Sequence, residues 1–334
     1  MKTKFRISII IIIGLLSLVS CKNNYNRNAL LPSVSGKAGE IIVVINKGDW
    51  EGEVGSKFRG MLTSDCPFLP QKEPLYSLVN IVPNTFTNLF KIHRNIIVVN
   101  ISEIVTEPGI VYKSDVWARP QCVINVNASN SEAALELITS QEERIVATIE
   151  QAERNRVINN SIKYEERGLR ELVNKEVGGS PYFPSGYSIK KQTKDFVWIS
   201  YETNYTNQGI FVYKYPVEGE DVLTKRKIIE RRNEILKMNV PGMFENTYMS
   251  TSNYLDPSIE HIKYKGREFS QVRGLWEVKN DYMGGPFVSH SFYSPDGKDI
   301  IVLEAFVYAP KYEKRHYLRQ VESLIYSFQW VDKQ

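Results

Sequence analysis

Near the end of the chain, a histidine and a glutamate are spaced so that they could do acid–base work. His290 and Glu304 flank Ser294-Pro-Asp-Gly-Lys298, a hairpin signal in which Asp-Gly supplies the positive φ of a turn. With Pro-Asp-Gly as a three-residue loop, Ser294 faces Lys298 and paired residue numbers sum to 592. His290 then opposes Val302 and Val288 opposes Glu304. Histidine and glutamate become diagonal neighbours on one sheet face, about 7–8 Å apart at the backbone. A carboxylate beside an imidazole among Phe292, Ile300 and Phe306 is a candidate acid–base pair, and equally a satisfied polar pair. Upstream, Gly284-Gly285-Pro286 is a candidate ligand loop, because bare backbone can approach a bound molecule. A bulge at a strand start uses glycine in the same way. Lys311, Lys314, Arg315 and Arg319 crowd the first half of the last helical stretch. Cations there oppose the helix dipole, while free N–H groups favour an anion such as a phosphate or carboxylate. A solvated face paired with Glu313 and Glu322 accounts for the same residues.

Other chemistry is narrowed by exclusion. The chain has no Gly-x-x-x-x-Gly-Lys-Ser/Thr cradle, no Gly-x-Gly-x-x-Gly after its early strands and no Gly-x-Ser-x-Gly elbow. His-Glu-x-x-His and paired Cys-x-x-Cys are missing too. Histidines 93, 261, 290 and 316 are too scattered to define a metal site. No metal and no cofactor is expected, although a site assembled from distant loops would leave no such signature. Removing Lys2, Lys4 and Arg6 from the 42 bases leaves 39 against 38 acids, so there is no basic excess for nucleic acid.

The elements that must position these residues form two blocks. A length of 334 residues suits one large or two ordinary domains, and 24% charged with 42% apolar residues excludes a disordered chain. Ile41 to Ile45 and Asn95 to Ile101 read as buried strands and Leu75 to Val82 as a strand closed by Pro83, with a helix from Trp50 to Leu62 carrying Val54, Phe58 and Met61 inward. Val111 to Val126 contains Pro120 and reads as an edge strand or a bent pair. Ser129-Asn130-Ser131 caps a long helical stretch with Ala134, Ile138, Ile145 and Ile149 on one face. An interruption is expected at Asn159-Asn160-Ser161 and an end at Gly178-Gly179. The breaker cluster Pro181 to Gly186 is the expected boundary. Beyond it, three strands precede a helix over Thr224 to Met238, with Ile228, Ile229, Ile235 and Leu236 inward and Lys225, Arg226, Arg231 and Arg232 outward. Three more strands precede a helix whose inner face is Leu318, Val321, Leu324, Ile325 and Phe328. The expected class is α/β (α+β): residues 37–180 as a mixed α/β sandwich with a long helix, and residues 181–334 as an antiparallel sheet with helices on one face.

The first 21 residues carry an address. Lys2, Lys4 and Arg6 precede the apolar run Ile7 to Val19, which is shorter than a membrane-spanning helix requires. Leu18-Val19-Ser20-Cys21 resembles the bacterial lipobox. That resemblance implies a signal peptide over 1–20 and acylation of Cys21, since several acyl chains hold a protein at a bilayer stably, and the polar, aperiodic residues 21–36 read as a tether. Cys66 and Cys122 remain, either bridged or as two buried thiols.

The segments Asp195-Phe-Val-Trp-Ile199, Gly274-Leu-Trp-Glu-Val278, Met283-Gly-Gly-Pro-Phe287 and Phe306-Val-Tyr-Ala-Pro310 carry a wider resemblance. With the lipobox, they resemble a Bacteroidetes-type outer-membrane lipoprotein family catalogued as a domain of unknown function. The resemblance implies an envelope location and supplies no catalytic residues. The expectation is a lipid-anchored, periplasm-facing protein of the outer membrane that binds an envelope partner without catalysis, consistent with 19 tyrosines. The rivals are an envelope hydrolase of glycan or peptide with its site between the halves, and a carrier of a small or lipidic ligand. A flat apolar patch would favour the partner, convergent acids and histidine the hydrolase, and a deep apolar cavity the carrier.

Overall fold

The computed structural model describes residues 31–331. The expected leader, Cys21 and the tether as far as residue 30 lie outside the described residues. The described residues build a five-stranded sheet in the N-terminal half, and an eight-stranded sheet with a separate two-stranded ribbon in the C-terminal half.

In the N-terminal half, β1 (Glu40–Val44) leads into α1 (Lys47–Glu51) and α2 (Glu53–Leu62), followed by β2 (Ser77–Ile81), α3 (Asn88–Lys91) and β3 (Asn95–Ile101). β4 (Gly109–Ser114) and β5 (Cys122–Ala128) follow, then α4 (Ser131–Ser140) and α5 (Glu142–Lys163). The sheet order is β2-β1-β3-β5-β4. The first four of these strands are parallel, and β4 pairs antiparallel with β5 as the edge. The 111–126 segment is therefore a bent pair. The inner strand β1 is continuously apolar from Ile41 to Val44 because both its faces are covered. Ile41, Val43, Ile97 and Ile124 pack on Phe58, Ile138 and Ile149 of the helices. Ile42, Val44, Ile96 and Val123 lie beneath Phe86, Phe90 and Trp117. Asn130 caps α4 by accepting the Ala133 N–H at 2.9 Å. The expected break at Asn159-Asn160-Ser161 does not occur. Ser161 is buried and satisfies its hydroxyl on the Val157 carbonyl at 2.8 Å, so the helix runs on to Lys163, and the stretch is interrupted at Gln141 and again over residues 164–168.

The C-terminal half begins with α6 (Leu169–Val177), β6 (Gly179–Ser180), β7 (Ser188–Thr193), β8 (Phe196–Glu202) and β9 (Asn207–Pro216). Next come α7 (Lys225–Asn239), β10 (Met249–Thr251), β11 (Ser258–Tyr264) and β12 (Arg267–Val278). β13 (Gly284–Tyr293), β14 (Asp299–Tyr308), α8 (Arg315–Tyr326) and β15 (Gln329–Trp330) complete it. The main sheet is antiparallel, in the order β10-β12-β13-β14-β9-β8-β7 with β11 also on β12, and forms a half-barrel. Helices cover both of its faces, not one. Ile228, Ile235 and Leu236 of α7 pack on Phe211, Tyr213 and Phe306. Leu318, Val321 and Leu324 of α8, with Leu169 and Val173 of α6, pack on Ile210, Val212 and Leu303 of the other face. Side chains from Ile300 to Val307 are all buried, so neither face of β14 can be left to water.

The breaker cluster 181–186 is not a linker. Phe183 is fully buried in the α8-side core, its carbonyl accepts the Glu166 N–H, and Tyr182 donates its N–H to Ser327 Oγ. With α6 in that core, the division expected at residue 180 falls inside the packing of the C-terminal half. Cys66 and Cys122 are free thiols. Cys66 packs on the C-terminal core and Cys122 within the N-terminal one, and burial pushes both up to about 11.

Candidate functional site

The register of one hairpin decides the sharpest sequence candidate. β13 and β14 pair Phe287 with Phe306, Ser289 with Glu304 and His290 with Leu303, so paired numbers sum to 593. The turn holds four residues instead of three, closed by the Ser294 N–H on the Asp299 carbonyl at 2.8 Å. Asp296 Oδ1 accepts from both Ser294 Oγ and the Lys298 N–H, filling the turn from inside. A shift of one residue sends the two side chains to opposite faces. His290 and Glu304 are not neighbours, and the acid–base pair does not form.

Each of the two is instead built into a core. His290 is fully buried, stacked on Phe269 with ring centroids 4.0 Å apart and edge-on to Tyr326. Its Nε2 lies 3.2 Å from Gln271 Oε1, which also accepts the Tyr326 hydroxyl. Burial, with Arg267, Arg273 and Arg154 nearby, holds the imidazole neutral well below the ordinary histidine range. Glu304 faces α7 and accepts two bonds from Arg232, Nε to Oε2 at 2.8 Å and Nη2 to Oε1 at 2.7 Å. Burial raises the Glu304 carboxyl and the paired guanidinium opposes that rise. Arg232 therefore points inward, contrary to expectation. It follows Ile228 by four residues, which places it on the apolar stripe, and it donates its remaining bond to Thr251 Oγ1.

The glycine pair is a packing device. A Cβ on Gly285 would lie 2.1 Å from the Val307 carbonyl oxygen and 3.1 Å from Trp276 Nε1. Its absence lets the Trp276 indole reach that carbonyl at 3.2 Å. Gly284 likewise packs against the Trp276 carbonyl. The basic cluster also serves the fold. The N-terminus of α8 does receive an anion, but it is Glu73 of the N-terminal half. Its two oxygens accept the backbone N–H groups of Lys314 at 2.7 Å and Arg315 at 2.8 Å. The Arg315 guanidinium reaches the Pro74 carbonyl, and Lys311 Nζ lies 4.5 Å from the Tyr205 ring centre.

Arg319 extends this seam between the halves. It pairs with Glu150 at 3.3 Å and donates to the Leu75 carbonyl at 3.1 Å, with Tyr76 beneath it. Tyr76 donates its hydroxyl to Glu150 at 2.6 Å. Burial would lift the Glu150 carboxyl, but Arg319 and the Tyr76 hydroxyl hold it below the usual carboxylate range. Beside the seam lies a cleft of about 360 Å³. One wall is α5 with the foot of β3. There Glu153, 1% exposed, accepts from Arg94 at 3.0 Å, Arg156 at 2.9 Å and Asn95 at 2.7 Å. The other wall holds Tyr187, Tyr201 and Gln208 of the half-barrel, and α8 supplies His316, Arg319 and Gln320. His316 is pulled below the ordinary histidine range, first by burial and then by Arg319. Arg94 Nε and Arg319 Nη1, both buried, have no hydrogen-bond partner. Among the described residues, no three His, Cys, Asp or Glu side chains are grouped to hold a metal ion.

Of these residues, the sequence reading singled out Arg319 alone, and as one of a surface cluster. Glu153 had a visible signal: it continues the Ile145, Ile149 spacing and so places a carboxylate on a buried stripe. Arg94 and Glu73 had none, because they lie at a strand foot and in a loop.

Fold and cleft together define a mixed α/β protein whose two main sheets meet across a polar seam. Residues 34–161 match the family model described as a domain of unknown function, DUF8532, and residues 166–327 match another, DUF4837. No curated protein matches the chain. Among solved structures, the Saccharomyces cerevisiae Ran-binding protein Mog1p is similar over 46% of this chain and 91% of that one. The identity is 10% and the TM-score 0.30, a level that carries no argument about fold or function.

Proposed function

We propose that this protein is held by lipids on Cys21 at the periplasmic face of the outer membrane, and that its C-terminal half binds an envelope protein without catalysis. The observation that carries the binding role is the apolar tip of the half-barrel. Met238, Met243, Phe244 and Tyr282 are 71%, 82%, 66% and 105% exposed. Met238 lies in the last turn of α7, and the loop that follows, with Met243 and Phe244, is joined to the β12–β13 turn, with Tyr282, by the Lys279 N–H on the Tyr248 carbonyl at 2.9 Å. Methionine and aromatic side chains left in water are the residue types enriched where proteins meet, and methionine adapts its shape to a partner. The anchor rests on the residue order from Lys2 to Cys21. Among the described residues no helix is long and apolar enough to cross a membrane.

Photo-crosslinking in intact envelopes tests the binding role. A crosslinker at position 282 should give one discrete adduct, which Phe244→Asp removes. The same probe at Ile104, 86% exposed in the N-terminal half, should give none. Equal labelling from both positions would overturn the reading. For the anchor, Cys21→Ser should abolish acylation, and a fully processed chain still fractionating with membranes would refute it.

A further inference from the structure

We infer that the cleft between the halves is a binding site for a small organic oxyanion, a carboxylate or phosphate ester carrying a ring or other apolar body. Its volume of about 360 Å³ lies in the range of small-molecule sites. The polar wall holds three guanidinium groups, Arg94, Arg156 and Arg319, against one carboxylate, Glu153. Counting Glu150, which pairs with Arg319 from behind, one positive charge remains in excess. Guanidinium is the group suited to carboxylate and phosphate oxygens. Arg94 Nε and Arg319 Nη1 are buried behind the cleft surface without a hydrogen-bond partner, so the fold itself leaves these two guanidinium groups incompletely satisfied.

The opposite wall is of another kind. Tyr187 and Tyr201 lie with ring centroids 5.8 Å apart, flanked by Pro184 and Leu324. An apolar or ring-shaped body fits against them while its charged group meets the arginines. The inference is independent of the partner-binding tip, which lies on other loops.

Titration calorimetry of the purified full-length protein at low salt tests the site, with benzoate, phenyl phosphate and inorganic phosphate as probes. One of the two ring-bearing probes should bind saturably at one site and weaken in 0.5 M salt. A preference for benzoate identifies a carboxylic acid as the occupant, and the reverse a phosphate ester. Asn160 lines the cleft on an exposed turn of α5, so substitutions there spare the core. Asn160→Glu should weaken binding about tenfold and Asn160→Lys should tighten it, both with an unchanged melting temperature. The inference is overturned if neither ring-bearing probe binds, if both Asn160 variants bind alike, or if inorganic phosphate binds as tightly as phenyl phosphate.

Discussion

Two arginine–carboxylate clusters in this chain have the same chemistry and different surroundings. Arg232 and Glu304 are sealed between α7 and the half-barrel, both side chains wholly buried, the guanidinium spread over the Phe287 ring at 3.9 Å. Arg94, Glu153 and Arg156 sit at the foot of the N-terminal sheet beside an open cleft, and one of their N–H groups goes unused. The first cluster orients α7 on its sheet and has no room for a ligand. The second has room beside it and an N–H without a partner. What separates a structural ion pair from a candidate site here is the space beside it and the saturation of its hydrogen bonds.

The contrast can be broken by mutation. Glu304→Gln strands a buried guanidinium, and urea unfolding should show a loss of about 3–5 kcal/mol. The double variant Arg232→Met/Glu304→Leu should recover most of it. Glu153→Gln should cost less, about 1–3 kcal/mol, because water in the cleft can reach Arg94. Equal losses at the two glutamates would remove the distinction.

Glu73 is intermediate, buried like Glu304 but placed at the seam. Glu73→Gln should cost about 1–2 kcal/mol and speed amide exchange in the first turn of α8, read by hydrogen-exchange mass spectrometry. Exchange unchanged at Lys314 and Arg315 would show that the cap does not hold that helix.

The smallest expected effect is on pH. Folding keeps His290 neutral, whereas the unfolded chain takes up a proton below about 6.5. The unfolded state then binds more protons, so stability falls as pH drops below that value, by no more than about 1.4 kcal/mol per pH unit for this group. His290→Phe keeps the stack on Phe269 and should flatten the slope measured by urea unfolding between pH 6.5 and 5. A slope unchanged in the variant would assign the acid sensitivity elsewhere.

Much of the scaffold was legible in local pattern. The runs Ile41 to Ile45 and Asn95 to Ile101 could only be strands covered on both faces, and Leu318, Val321, Leu324 and Ile325 could only be one helix face, because side-chain period alone sets which residues must leave water. The hairpin at Pro295-Asp296-Gly297 was legible as a hairpin, but its register was not. Ser294 and Asp296 can close a three- or four-residue loop, and that single residue sent His290 and Glu304 to opposite faces. The candidate site was less legible still. Glu73 meets Lys314 across 241 residues, Arg319 meets Glu150 across 169, and the cleft exists only where α5, α8 and the half-barrel converge. Sequence alone determined which faces had to be buried, since that depends on neighbours along the chain. Which charges met, and where space was left beside them, was decided by tertiary packing, because pairing between distant segments leaves no periodicity to read.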